Sequence, residues 1–416
     1  MSKPASPTRS KHTTLKQICQ YIPGGLVAKL ADVHGVKSRS FTPWSHVVSM
    51  LYAHLTHAMG LNDVCDGLRN HQGRLVAIRG AVAPSRNGLS HANRNRSAKV
   101  AEDLFWSVLR HLESLAPGFG GRTYRGCPRR FKRAIRVVDS TTIALVANCM
   151  DWAKHRRRKA AAKLHLGLDL QSFLPHFAIV DTAKQNDARR ARELCADLED
   201  GEIVVFDKAY VDFDHLAALE ERGVIWVSRA KENMSVRCLR RRVKKAKGNI
   251  VRDDEVMLDG FTSRKKYPQR FRRITAWVEV NGEQQLMSFI TNHMQWAPNS
   301  ICDLYKCRWS IEAFFKQIKQ TLQLSDFLGH SKNAIQWQVW TALLTYLLQR
   351  FVSFVSQWGH SFARIFTVLR GVLWSRFDLD ALLKSYGTAS GPFRMLGVPE
   401  HAYQPTFEFT YGTAHG

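Results

Sequence analysis

The sequence predicts an α/β protein in which helices flank a central mixed sheet and a helical domain precedes that sheet. Two observations support this fold class. Short β-branched runs alternate with helical stretches over residues 131–230, as they do in sheets covered by helices. A second group of strand-like runs fills residues 231–300, so the sheet region is expected to carry a β-rich insertion.

Residues 1–115 are predicted to form the helical domain. Thr42 and Pro43 are typical of a helix start, and Gly60 ends the apolar pattern that follows them. Two further helices of this domain are expected at residues 62–70 and 97–115.

A polar and basic stretch lies just before the last of these helices. If the domain is a small helical DNA-binding module, this stretch would present four side chains to DNA: Asn93, Arg94, Arg96 and Lys99. The alternative is a solvated basic loop in a helical bundle. Residues 116–130, with four glycines and two prolines, are expected to form a linker.

The predicted core begins at residue 131 with runs rich in Val, Ile and Leu. Strand-like runs are expected at residues 134–139, 140–146, 164–170, 174–181, 202–207 and 224–229, with a basic loop before the third. Helices are expected at residues 187–200 and 211–222. A helix within residues 301–330 completes this core after the insertion.

The insertion starts with a run of arginines and contains the pair Asn281-Gly282 between two β-rich runs, a strong hairpin signal. We therefore expect a basic, antiparallel β subdomain. Helical patterns return over residues 331–416, with helices expected at 333–358 and 361–385. Polar residues interrupt the apolar run at residues 337–358, which predicts a buried helix and no membrane span.

Composition favours a polyanionic partner. The 416 residues include 61 Lys and Arg against 35 Asp and Glu, a net charge of +26, which favours nucleic acid. An anionic membrane is the rival partner, but no basic amphipathic anchor is evident. Without an apolar N-terminal signal segment, the protein is expected to be cytoplasmic and nucleoid-associated. The eight cysteines form no C-x-x-C pair, which argues against disulfide and zinc sites.

Two aspartates and one glutamate are candidate metal ligands. Asp139 and Asp207 each end a hydrophobic run, and parallel strands bring such ends together. Glu312, on a helix beside that edge, would complete a cluster whose mutual repulsion divalent cations relieve. Such ligands suit two Mg²⁺ or Mn²⁺ ions in phosphodiester chemistry. Taken singly, Asp139 is equally typical of a turn at Ser140, and Asp207 of a helix cap.

A second group of acids, Asp253, Asp254 and Glu255, is contiguous in the chain. Neighbouring residues on a strand point to opposite faces of the sheet. These three acids are therefore not expected to converge on one pair of ions.

Residues 303–320 place cations around the glutamate. At 100° per residue, Tyr305, Arg308, Glu312 and Lys319 fall within about 60° of one another on a helix. Arg308 and Lys319 would bind phosphate oxygens, and Tyr305 would contact nucleic acid through its ring or hydroxyl. An ordinary amphipathic helix with charges facing solvent is the alternative.

These motifs resemble those of a known family, the DDE transposases of bacterial insertion sequences, of the insertion-sequence-four (IS4) type. Its Y-x2-R-x3-E-x6-K signature is met in full by the four residues just described. Val138-Asp139-Ser140-Thr141-Thr142 is similar to the first-aspartate motif, and Phe206-Asp207-Lys208-Ala209-Tyr210 to the second. The family more often has D-R-G-Y in the second motif, so Lys208 keeps the charge and Ala209 replaces glycine.

The resemblance implies a ribonuclease-H-like catalytic domain and cut-and-paste DNA transposition, with Asp139, Asp207 and Glu312 as catalytic and metal-binding residues. Water would cut the transposon end, and the released 3′-hydroxyl would attack the target. Partners would be double-stranded terminal repeats and target DNA, with a homodimer in the DNA complex and no membrane.

DNA contacts are implied for six residues, which lie in the signature and in similar segments at 163–169 and 228–231: Tyr305, Arg308, Lys319, Arg229, Lys231 and Lys163. A flipped base would stack on Trp277 or Trp296. Three other functions stay open from the sequence: a nuclease of this fold without strand transfer, a catalytically silent transposase-derived DNA-binding protein, and a basic protein that coats nucleic acid.

Overall fold

The computed structural model describes residues 7–121, 130–145, 154–155, 159–182, 187–243, 248–280, 282–322 and 328–385. Most of the second half of the expected linker lies outside these residues, as do Asn281 of the expected hairpin and the end of the C-terminal region.

Seven helices of the described chain precede the sheet: α1 (Thr14–Cys19), α2 (Leu26–Val33), α3 (Pro43–Thr56), α4 (Leu61–Arg69), α5 (Gln72–Val76), α6 (Arg86–Asn95) and α7 (Lys99–Leu115). Helix α3 begins as predicted, because the Thr42 hydroxyl accepts a hydrogen bond from the backbone N–H of Ser45. It ends before Gly60, since His57 adopts a left-handed conformation with φ of 57°.

The polar stretch before α7 is a helix, and two of its four candidate DNA contacts are buried. The Asn93 amide lies 2.8 Å from the His46 ring and is 2% exposed. Arg96 donates hydrogen bonds to the carbonyls of Phe41 and Thr42. Both side chains therefore hold α6 against α3, and the expectation that they face DNA is wrong. Arg94 and Lys99 are exposed.

Ten strands of the described residues form one mixed sheet: β1 (Ile135–Leu145), β2 (Lys154–His155), β3 (Lys159–Asp169), β4 (Pro175–Thr182), β5 (Ile203–Phe206), β6 (Ile225–Arg229), β7 (Val236–Arg241), β8 (Ile250–Leu258), β9 (Phe271–Val280) and β10 (Glu283–Thr291). The order is β3-β1-β5-β6-β10-β9-β8-β7, with β2 and β4 paired to β3. Strands β1, β5 and β6 are parallel, and the other pairs are antiparallel. The mixed sheet of the predicted fold class is confirmed.

Two details of the predicted core are wrong. The runs expected at 134–139 and 140–146 are one strand, because β3 pairs with β1 from Arg136 to Leu145 and carries it through its polar centre. Asp139 therefore lies within a strand and not at its end. The expected basic loop instead forms strand β2, Lys154–His155, and the first residues of β3. Residues 156–158 between them lie outside the described chain.

The insertion is antiparallel, as predicted, but it does not form a sheet of its own. Strand β10 pairs with core strand β6 at Phe289↔Arg229, so the insertion extends the core sheet. The expected hairpin joins β9 and β10, and Gly282 has the left-handed φ of 83° that such a turn requires.

Helices cover both faces of the sheet. On one face, Val138 and Phe206 pack in the cluster that contains residues of α8 (Asp187–Leu194) and α9 (Phe213–Glu221). The other face packs against a larger helical layer, which includes α11 (Pro298–Cys307), α12 (Trp309–Lys316), the π-helix Gln317–Thr321 and α13 (Lys332–Val355). The remaining helices are α10 (Phe261–Lys266), α14 (Phe362–Gly371) and α15 (Leu379–Ser385), so the single helix expected at 361–385 is two.

Helix α13 is the buried helix that the apolar run predicts. Within the described chain, no helix is both long enough and apolar enough to cross a membrane.

Candidate active site

Strand pairing in the sheet places Asp139 and Asp207 at the same position along two neighbouring strands. Parallel pairing of β1 with β5 ends at Val138↔Phe206, and each aspartate is the next residue. Side chains alternate along a strand, so both aspartates point away from the face of Val138 and Phe206, toward the larger helical layer. The parallel-strand argument thus holds even though Asp139 is not at a strand end.

The glutamate arrives from that helical layer. Tyr305 lies in α11 and Glu312 in α12, and Arg308 between the two helices has helical angles, φ −55° and ψ −38°. The backbone therefore continues its helical path, and the predicted stripe of side chains is preserved. Lys319 follows in the π-helix, a local widening that occurs often at functional sites.

A cleft of about 540 Å³ lies where these elements meet. Three carboxylates from three separate elements line it, together with cations, small polar residues and one phenylalanine: Asp139, Ser140, Thr141, Asp207, Arg308, Glu312, Phe315, Lys316 and Lys319. The stripe on the helix thus faces the sheet edge, and the alternative of charges facing only solvent does not describe it.

Both oxygens of Asp139 are engaged. Oδ1 accepts a hydrogen bond of 2.8 Å from the Ser140 backbone N–H, and Oδ2 one of 2.7 Å from Arg308. The predicted turn at Ser140 thus accounts for the hydrogen bond to Oδ1 but not for the one to Oδ2. Burial raises the pKa of Asp139 to about 6, opposed by the Arg308 guanidinium and the Ser140 N–H and aided by the charges of Asp207 and Glu312.

Tyr305 orients the second aspartate. Its hydroxyl donates a hydrogen bond of 2.9 Å to Oδ1 of Asp207, and its ring is buried against Phe289. Burial raises the pKa of Tyr305, so the hydroxyl keeps the proton that it donates in this bond. Asp207 precedes a short 3₁₀ turn, Lys208–Tyr210, but its side chain does not cap that turn. The structure therefore replaces the cap interpretation with a tyrosine–aspartate bond.

Arg308 bridges two of the three carboxylates. It donates to Asp139 and, over 2.9 Å, to Oε1 of Glu312. Its side chain is only 10% exposed, whereas that of Glu312 is 54% exposed. The arginine expected to bind phosphate therefore binds two acids in this structure.

Two lysines supply the remaining positive charge of the cleft. Lys319 is half-buried, burial lowers its pKa, and it has no ion-pair partner among the described residues. Lys316 is exposed. The sequence analysis missed Lys316, although its position four residues after Glu312 puts it on the same helical face.

The other expected DNA contacts do not line the cleft. Arg229 follows Ser228, the partner of Phe206 in β5, and so lies level with Asp207. The ammonium group of Lys231 donates a hydrogen bond of 2.8 Å to the carbonyl of Val211.

Lys163 pairs with Thr142 in β1, three residues after Asp139, and alternation puts it on the opposite face of the sheet. Of the two candidate stacking residues, Trp277 is 46% exposed, whereas Trp296 already stacks on His293 with ring centres 3.8 Å apart.

The acids of the cleft have the chemistry of a site for divalent ions. Three carboxylates are the hard oxygen donors that Mg²⁺ and Mn²⁺ prefer. Within the part of the chain that is described, however, no three His, Cys, Asp or Glu side chains are close enough to hold one ion. The donor chemistry fits, and the guanidinium of Arg308 lies between Asp139 and Glu312, bonded to both.

Comparison with known proteins places the chain in a family. The family described as "Transposase DDE domain" matches residues 130–348, more than half of the chain. A domain of unknown function (DUF4372) matches residues 10–78, within the helical domain.

Three relatives illustrate the similarity. The chain is 29% identical to a protein of Sinorhizobium fredii named as transposase y4zB, over 72% of this chain and 81% of the relative. It is 25% identical to a transposase of insertion sequence element IS5377 from Geobacillus stearothermophilus, over 82% and 86%. It is 28% identical to transposase InsG of insertion sequence element IS4 from Escherichia coli, over 45% and 43%. The chain therefore belongs to the DDE transposases of the IS4 type, enzymes that cleave DNA and transfer strands in cut-and-paste transposition.

Proposed function

We propose that Asp139, Asp207 and Glu312 are the catalytic and metal-binding carboxylates of this transposase. The observation that carries the proposal is their meeting in one cleft from strand β1, the end of strand β5 and helix α12. Members of the family generally need divalent ions, and we assign two Mg²⁺ or Mn²⁺ ions to these acids. When bound, such ions supply the Lewis acidity that activates the attacking oxygen and stabilises the leaving oxygen.

The surrounding residues have separate tasks in this proposal. The Tyr305 hydroxyl fixes the orientation of Asp207, and the Ser140 N–H fixes that of Asp139. Lys316 and Lys319 line the open part of the cleft, where they can bind the phosphates on either side of the cut. Water would attack the phosphodiester first, and the released 3′-hydroxyl would then attack target DNA.

The DNA bound would be the terminal inverted repeats of the element and the target duplex, held by a homodimer. Strand β7 supports a DNA contact outside the cleft, because Arg237, Arg240 and Arg241 are exposed along this edge of the sheet. Exposed Trp277 is the better placed of the two tryptophans to stack on a displaced base. The helical domain at residues 1–115 would contribute further DNA contacts through exposed Arg94.

The test is a cleavage and strand-transfer assay on labelled DNA that carries the ends flanking this reading frame. Asp139→Asn, Asp207→Asn and Glu312→Gln are each expected to lower cleavage by at least about a thousandfold, because each removes a charge that holds the ions. Binding of the uncut end should stay within a few-fold. Glu283→Gln, at an exposed position of β10, is the control and should cleave normally. Wild-type cleavage by any of the three variants would disprove the assignment of that residue.

A further inference from the structure

We propose that Arg308 occupies the position of a divalent ion in the DNA-free enzyme, so that metal binding requires its guanidinium to leave. The inference rests on the proposed function, since it takes Asp139 and Glu312 as metal ligands. It adds a regulatory step to that site: the metal site is closed until DNA offers Arg308 another anion.

The positions of the bonds support the competition. Arg308 donates to Asp139 over 2.7 Å and to Glu312 over 2.9 Å, so its guanidinium joins two of the acids that would hold an ion. The other oxygen of Asp139 already accepts the Ser140 N–H. Each carboxylate oxygen can still accept a second contact, so the competition is for the space between Asp139 and Glu312, where the guanidinium carries the same sign of charge as an ion.

The electrostatics explain why the arginine lies there. Buried acids at one site repel one another, and a cation has to compensate their charge. Of the cations that line the cleft, only Arg308 forms ion pairs with its carboxylates among the described residues. Without metal, the guanidinium therefore supplies the charge that the fold requires.

The contacts of Arg308 also allow its guanidinium to leave the two acids. Nε of Arg308 is buried without a hydrogen-bond partner in the described chain, so the guanidinium is not fully satisfied in this position. Its partner Glu312 is more than half exposed, and water can replace that bond at low cost. A DNA phosphate offers Arg308 a bidentate acceptor in exchange. The consequence would be an enzyme that takes up its ions chiefly on DNA.

The experiment measures Mn²⁺ binding to the DNA-free protein by electron paramagnetic resonance of the free ion. If the competent state is a minor population, the apparent Kd exceeds the intrinsic one by the inverse of that population. Arg308→Ala is therefore expected to lower the Kd by about tenfold or more. Asp139→Asn should abolish this Mn²⁺ binding both in the wild type and in the Arg308→Ala variant, which would show that the ion binds at Asp139.

Lys319→Ala is the matched control, since it removes the same charge from the same cleft without opening an ion pair. It should change the Kd by no more than about threefold, the effect of a screened charge. Equal tightening in both variants would show a general field effect and overturn the proposal. Weaker Mn²⁺ binding in Arg308→Ala would overturn it too, because Arg308 would then order the ligands.

Arg308→Gln keeps the side-chain length without the charge and is expected to tighten Mn²⁺ binding in the same way if Arg308→Ala does not fold. The inference can fail without the proposed function. Unchanged Mn²⁺ binding in the Arg308 variants, with Asp139→Asn inactive on DNA, would remove the competition and leave the catalytic assignment intact.

Discussion

Two groups of three acids lie in or beside this one sheet, and arginines neutralise them in different ways. In the insertion, Asp253, Asp254 and Glu255 are all buried on β8. Five arginines pair with these three acids: Arg272 and Arg242 with Asp253, Arg241 and Arg273 with Asp254, and Arg242 and Arg270 with Glu255. In the cleft, a single arginine serves both Asp139 and Glu312, and a tyrosine serves Asp207.

The difference follows from where the acids come from. Residues adjacent on one strand alternate between its faces, so Asp254 pairs with other arginines than Asp253 and Glu255 do, and all of these arginines lie on or next to strands β7 and β9. Residues from three elements can converge on a cleft. There a single arginine pairs with two of the three acids, so their negative charge is only partly neutralised. Contiguous acids in a sequence are therefore weaker evidence for a metal site than acids at the ends of separate elements.

The largest expected effect lies in the insertion. Arg272 is 1% exposed and binds Asp253 through two bonds of 2.6 Å, so Asp253→Asn leaves a buried charge without its partner. We expect a loss of about 3–5 kcal/mol in the free energy of unfolding, measured by urea denaturation. Glu312→Gln, at an exposed position, should cost less than about 1 kcal/mol.

The double variant Asp253→Leu with Arg272→Met is the control for this prediction. It removes both charges, and well-packed apolar side chains can replace a buried ion pair at little cost. Recovery of most of the lost stability is expected. If Asp253→Asn has the same free energy of unfolding as the wild type, the Asp253–Arg272 pair stabilises the fold no more than the pairs of the cleft do. The contrast between the two groups of acids would then be wrong.

The next effect has the opposite sign and lies in the cleft. Burial raises the pKa of Asp139 from 3.8 to about 6, so the folded state holds this proton more tightly than the unfolded state. The resulting stability is present below about pH 4 and is lost as the pH rises through about 6. Asn mimics the protonated acid, so Asp139→Asn should be more stable than the wild type at pH 8, by about 3 kcal/mol at most.

Urea denaturation from pH 4 to pH 8, in DNA-free protein with a chelator, checks this prediction. The gap in the free energy of unfolding between variant and wild type should grow with pH and level off above about pH 7. A gap that does not change with pH would show that Asp139 is as well compensated as the acids of the insertion.

Local signals predicted much of the fold. Thr42 and Pro43 gave the start of α3, and the alternation of short runs gave the mixed sheet. The continuity of β1 through its polar centre was not predictable, because it comes from pairing with β3, which follows later in the chain. The junction of the insertion with the core is likewise a pairing of distant residues, Phe289 and Arg229.

The candidate site shows the same limit. Helical spacing alone put Tyr305, Arg308, Glu312 and Lys319 on one face. In the structure the last three line the cleft and Tyr305 bonds to Asp207 beside it. What each side chain binds depends on residues far away: Arg308 pairs with Asp139 across 169 positions. Spacing along a helix cannot distinguish a phosphate ligand from a partner for a buried acid.

The smallest expected effect concerns Lys319, one of two lysines of the cleft that have no acid partner in the described chain. Lys319 lines the cleft beside the acids, so a DNA phosphate can bind it without displacing anything. Lys319→Ala should weaken DNA binding and reduce the slope of log K against log salt concentration by about 1, the contribution of one phosphate contact. Fluorescence anisotropy over a series of salt concentrations measures both.

Lys266→Ala is the control for this last prediction, since Lys266, in α10 of the insertion, is already paired with Asp214 over 2.7 Å. A phosphate would have to break that pair, so its loss should change the slope by less than about half as much. Equal slopes for the two variants would mean that pairing in the free protein does not decide which cations meet DNA. The contrast between shared charge in the cleft and matched charge in the insertion would then describe stability and not binding.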